Sequence, residues 1–254
     1  MKPASRLRLV RTGTLATLLA AQSATALDYA WDPSNDANGG SNTWNTALMF
    51  WDAGPTAIPG NDNSAWINGA GNRAYFGGTA GTVTLNTGIT VGGLTFNDSP
   101  GYRLTGNTLT FDADGAITTN VDATIASVLA GSVPITKAGA GTLTLTGSNT
   151  FNGQLTVQEG TLQVATVNNT SASGPLGNST NPVILGKTGG IAGTLEYTGG
   201  TASSTKLFTL ATGGTGGFQV YRPQHPDPQR RDRRQRHALQ DRQRHAEALW
   251  RQHL

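Results

Sequence analysis

The 254-residue chain contains no cysteine, carries charge on only 13% of its residues, and holds all four of its histidines in the last thirty positions. Without cysteine there can be no disulfide and no thiolate metal site, so any fold must be held by burial and hydrogen bonding alone. With no histidine between Leu27 and Val220, a Ser-His-Asp arrangement in that stretch is excluded and zinc is unsupported there. No apolar run spans a bilayer either: Leu15-Ala16-Thr17-Leu18-Leu19-Ala20-Ala21 falls well short of the roughly 20 residues required.

The net charge of +3 conceals three regions. Residues 1–26 carry +4 from Lys2, Arg6, Arg8 and Arg11 and no acid; residues 27–220 carry −6; residues 221–254 carry +5 through nine arginines. A basic start, the apolar run and the small residues Ala24-Thr25-Ala26 read together as an export signal over 1–26, cleaved after Ala26. The base that raises the overall pI therefore lies outside the part able to fold compactly, and nucleic acid is not expected as a partner.

From residue 83 the chain becomes a string of short alternating runs punctuated by Gly and Asn: Val83-Thr84-Leu85, Ile89-Thr90-Val91, Leu94-Thr95-Phe96, Tyr102-Arg103-Leu104, Leu109-Thr110-Phe111, Leu143-Thr144-Leu145, Leu155-Thr156-Val157, Leu162-Gln163-Val164, Val183-Ile184-Leu185, Leu195-Glu196-Tyr197 and Phe218-Gln219-Val220. Each is apolar at both ends, so two side chains of three can face one interior. Strands this short, with few hairpin turn pairs and Gly at the corners, predict an all-β fold: a right-handed parallel β-helix, or β-solenoid, of about 20 to 25 residues per coil and about six coils over 83–220. Ala123–Leu129 reads as strand or a turn of helix, and Asn168–Pro182 as a loop extruded from the solenoid. Trp44, Trp51, Trp66, Tyr75 and Phe76 in region 27–82 suit an N-terminal cap over the first coil, which has no neighbour above it. The functional alternative for these rings is a platform that stacks on sugars.

Residues 137–164 hold the most specific pattern: Lys137, Gly139, Gly141, Thr142, Leu143, Leu145 and Gly147, then Asn149-Thr150-Phe151, Gly153, Val157, and a closing Gly160-Thr161-Leu162-Gln163-Val164. This stretch resembles the autotransporter-associated β-strand repeat, also called the passenger-associated transport repeat. The resemblance implies a non-enzymatic structural or adhesive passenger segment of a bacterial surface protein, displayed beyond the outer membrane by a C-terminal β-barrel. No such barrel pattern follows Val220, so this chain reads as cut before its translocator, periplasmic on its own, and able to self-associate through its solenoid edges. The cell-surface or extracellular ligand is not specified.

A second reading, a glycan-binding or glycan-cleaving secreted β-helix, rests on carboxylates. Asp32, Asp36, Asp52 and Asp62 cluster in the opening segment, and Asp112, Asp114 and Asp122 follow a strand. Paired acids of this kind hydrolyse glycosides or bind calcium, whereas isolated Asp in Asp-Pro and Asp-Gly contexts shapes turns. The turn reading is preferred, and no catalytic, cofactor or metal residue is assigned. In 221–254 every corner Gly disappears in favour of Arg, Gln and His. Back-translating His225–Leu254 with GC-rich codons and reading one base later recovers another copy of the repeat, so this tail is expected to be frameshifted and foreign to the fold. Leu239, Arg242, Ala246, Leu249 and Trp250 give it a thin helical stripe over about 229–252.

Overall fold

The computed structural model describes residues 25–34, 39–54, 63–69 and 71–221. The expected signal through residue 24, the basic tail from 222 with its helical stripe, and Asp36 and Asp62 lie outside the described residues. Within them every regular element is a strand. One sheet contains β1 (Asp28–Trp31), β3 (Trp51–Gly54), β4 (Arg73–Phe76), β6 (Ile89–Phe96), β8 (Leu109–Thr119), β10 (Leu129–Gly131), β11 (Ile135–Ala138), β13 (Leu155–Val157), β15 (Val183–Leu185) and β17 (Phe208–Leu210). The other contains β2 (Asn42–Trp44), β5 (Thr82–Leu85), β7 (Tyr102–Gly106), β9 (Ala123–Ile125), β12 (Thr142–Leu145), β14 (Gly160–Val164), β16 (Ala192–Tyr197) and β18 (Thr215–Val220).

Strand pairing is parallel throughout apart from β1 with β3, and strands alternate between the two sheets along the chain except at β3–β4 and β10–β11, where two consecutive strands share the first sheet. This is a β-solenoid of about seven turns. From β5 to β18 the second sheet takes six steps, in line with the coil number expected from sequence. The regular step is twenty residues: Ile135 pairs with Leu155, and Ala123 with Leu143. All eleven alternating runs fall in strands, though Ile89–Val91 and Leu94–Phe96 join into the single strand β6, with a register shift between Val91 and Gly93. The ambiguous Ala123–Leu129 segment is strand at both ends, Ala123–Ile125 in β9 and Leu129 at the start of β10, joined by three non-strand residues, and has no helix.

Register makes the core. Tyr102, Ala123, Leu143, Leu162 and Leu195 stack coil on coil inside the second sheet, and Leu94, Ile117, Lys137, Val157 and Leu185 do so inside the first. Leu143, Leu145, Val157, Leu162 and Val164 are all buried. Because the interior is filled by these ladders, Leu145→Ala should cost about 2 to 5 kcal/mol; an unchanged urea midpoint would refute its inward placement. The Asn168–Pro182 loop is not wholly extruded. Its tip around Ser171 is exposed, but Gly174 and Asn149 exchange backbone hydrogen bonds of 3.1 Å and Leu176 is fully buried in the core.

Candidate functional site

The aromatic end is a plug, not a platform. Tyr29, Trp31, Trp44, Trp51, Trp66 and Phe76 are each no more than 1% exposed. Trp51 lies 4.8 Å from Trp44, 4.9 Å from Trp31 and 5.1 Å from Trp66 by ring centroid. The rings close the first coil because β3, running antiparallel on β1, and the bridge from Trp51 to Ser64 fold the chain back over it. Tyr102, from the third coil of the second sheet, ties the plug down: its buried hydroxyl donates to Gly77 O at 2.6 Å and accepts from Gly40 N at 3.3 Å. Burial of the phenol raises its pKa. None of these six ring faces is open to a sugar.

The acids disperse. Asp32 and Asp52 are buried in the cap, whereas Asp112, Asp114 and Asp122 are exposed on later coils. Asp114 is paired with the Arg73 guanidinium, and Asp122 accepts the Thr142 amide at 2.7 Å through its side chain and the Gly101 amide at 2.8 Å through its carbonyl. These are corner and surface roles of the kind expected for Asp in turns. Among the described residues no three His, Cys, Asp or Glu side chains are grouped to hold a metal ion.

What the sequence passed over is Lys137, noted there only as the first residue of the repeat. Alternation in Ile135-Thr136-Lys137 puts it on the inward face, and it stacks between Ile117 and Val157 with no exposed surface. Its ammonium donates to four carbonyls around the β11–β12 corner. Burial lowers Lys137 from the ordinary 10.5 to about 8, against the opposing pull of Glu159 and Asp122. With the folded value below the unfolded one, the unfolded chain binds the proton more tightly, so stability should rise as pH climbs from about 8 to 10.5. Comparing urea midpoints of wild type and Lys137→Met over that range isolates the effect; equal slopes would refute it. Lys206 is similarly buried, donating to Ser179 O at 3.0 Å, and burial lowers its pKa too.

At the opposite end, the described residues stop one residue after β18. Strands β17 and β18 terminate the two sheets, and Leu207, Leu210, Phe218, Val220 and Tyr221 are each more than half exposed. An open cleft of about 470 Å³ lies there between Tyr197, Gly199–Ala202, Val220 and Tyr221.

Residues 135–164 match the family model of the passenger-associated transport repeat, extending the stretch recognised in the sequence by two residues at its start. The chain is also 46% identical over 198 residues to the adhesin BmaC autotransporter of Brucella suis biovar 1 (strain 1330). That alignment covers 75% of this chain but only 6% of the relative's length. No solved structure matches.

Proposed function

We propose that residues 27–220 form a structural and adhesive passenger segment of an autotransporter-type surface protein, with 27–82 capping a solenoid over 83–220 and residues 1–26 directing export. The observation that carries this reading is the coil over residues 135–164, which matches the passenger-associated repeat and sits in register within a continuous stack. Likeness to an adhesin over most of the chain supports the adhesive part. Physically, a stack of coils with a plugged first turn is a stiff rod held without any disulfide, which suits display away from the cell. We assign it no enzymatic activity; its dispersed carboxylates serve corners and the cap, and its partners are extracellular or cell-surface ligands.

Display is the direct test. Joined to an outer-membrane barrel, residues 27–220 should become protease-accessible on intact cells, and those cells should adhere to extracellular surfaces better than cells bearing the barrel alone. Absence of added adhesion would sink the adhesive role. The exposed apolar side chains of β17 and β18 add a second expectation, because exposed strand edges invite pairing. The chain should associate with rising concentration in sizing experiments, and Phe218→Lys with Val220→Lys should shift it toward monomer; an unaltered profile would count against edge-driven association.

A further inference from the structure

The Lys137 corner is built as a cation is held. Nζ lies 2.5 Å from Gly139 O, 2.7 Å from Gly141 O, 2.8 Å from Glu159 O and 3.2 Å from Ala138 O. An ammonium has three protons, yet four carbonyls converge on it, and among the described residues no carboxylate lies within ion-pair distance of it. Rings of backbone carbonyls replace the hydration shell of a monovalent cation in the same manner. Space around the ammonium is reserved for it. A Cβ on Gly160, whose φ is +64°, would stand 2.7 Å from Nζ and 2.5 Å from Gly139 O.

Three successive coils meet at this point. Ala138, Gly139 and Gly141 supply the corner itself and Glu159 comes from the following coil. Thr119, from the preceding coil, donates its hydroxyl to Gly141 O at 3.2 Å and Ala138 O at 3.4 Å. Along the same interior ladder the neighbours of Lys137 are Ile117 and Val157. A slip by one coil would leave the ammonium the carbonyls of its own turn but take away Glu159 O, and would take the Thr119 hydroxyl away from Ala138 O and Gly141 O. Single buried polar groups are known to fix register in this way, at some expense of stability.

We propose that this corner is a cation-binding cage whose resident cation is the tethered ammonium of Lys137, and that the cage sets the register in which the coils around residues 119, 139 and 159 stack. Lys137→Ala removes the ammonium and leaves an empty channel to a cage of unpaired carbonyls. Its urea midpoint should fall, and methylammonium chloride should restore most of the loss, while tetramethylammonium chloride at equal ionic strength, which has no N–H donor, should not. Lys137→Met fills the channel with an apolar chain and should not respond to methylammonium. A wild-type midpoint in Lys137→Ala, equal responses to both salts, no response to either, or a methylammonium response in Lys137→Met would each overturn the proposal. Should Lys137→Ala not fold, the wild-type chain still decides. The Lys137 ammonium protons, observed by nitrogen-15 NMR, should exchange with water far more slowly than those of exposed Lys187; equal exchange rates would overturn it.

Discussion

Replacing Trp51 by alanine is expected to lower the stability of the chain by about 3 to 5 kcal/mol, the range for deleting a fully buried large aromatic. Trp51 touches five other rings, those of Tyr29, Trp31, Trp44, Trp66 and Phe76, so its removal opens a void under every element of the plug. Each coil of a solenoid contacts only its neighbours, so on its outer side the first coil has only that plug, while its inner side pairs with the second coil. Its indole N–H has no hydrogen-bond partner, so Trp51→Phe loses volume without breaking a bond and should be milder. Urea denaturation followed by circular dichroism checks both. An alanine variant of wild-type stability that had lost adhesion to a glycan-coated surface would reverse the assignment and make the aromatic end a binding platform.

Much of the fold was legible because a solenoid repeats one simple instruction. A triplet apolar at both ends, with Gly or Asn recurring between such triplets, marks most of the strands, and all eleven of these triplets are strands. Among the others, Phe208–Leu210 has the same pattern though it is not one of the eleven, and two places break or blur it. Ile135–Ala138 carries Lys137 at an inward position, so its hydrophobic pattern looks interrupted, although the alternation itself was intact. Ala123–Ile125 and Leu129–Gly131 lie too close together for periodicity to separate strand from helix, and pairing with β7, β12 and β8 decides it. In the cap Trp44, Trp51, Trp66 and Phe76 could be identified as core, whereas Tyr75 alternates to the outer side of β4 and stays partly exposed; the topology could not be read, since antiparallel β3 has no local signature. Of the carboxylates of the glycan reading, folding places Asp32 just after β1 and Asp52 in its partner strand β3 but buries both, and it leaves Asp112, Asp114 and Asp122 on the surface.

Substituting Gly115 is expected to be as damaging as opening the core, and for a reason that no apolar ladder contains. Gly115 lies within β8, the eleven-residue strand whose first part pairs with β10 and whose last part pairs with β11. The chain must bend between the two pairings, and it does so at Gly115 with φ of +62°. A Cβ there would stand 1.9 Å from Pro134 O, a backbone atom one residue from β11 that cannot retreat without disturbing the Ala116–Thr136 pairing beside it. Left-handed strain of about 1 to 3 kcal/mol and overpacking of about 1 to 3 kcal/mol together predict a loss of about 2 to 6 kcal/mol for Gly115→Val. Because the clash begins at Cβ itself, Gly115→Ala should carry most of the same loss, unlike a core site where damage scales with side-chain volume. Gly88→Ala is the control, since a Cβ there meets nothing within 4 Å and its φ is not left-handed; its urea midpoint should stay near wild type. A Gly115→Ala midpoint as high as that of Gly88→Ala would show that the bend in β8 tolerates a side chain and that the close stacking of the 109–119 coil on the 129–138 coil is not what holds this part of the rod.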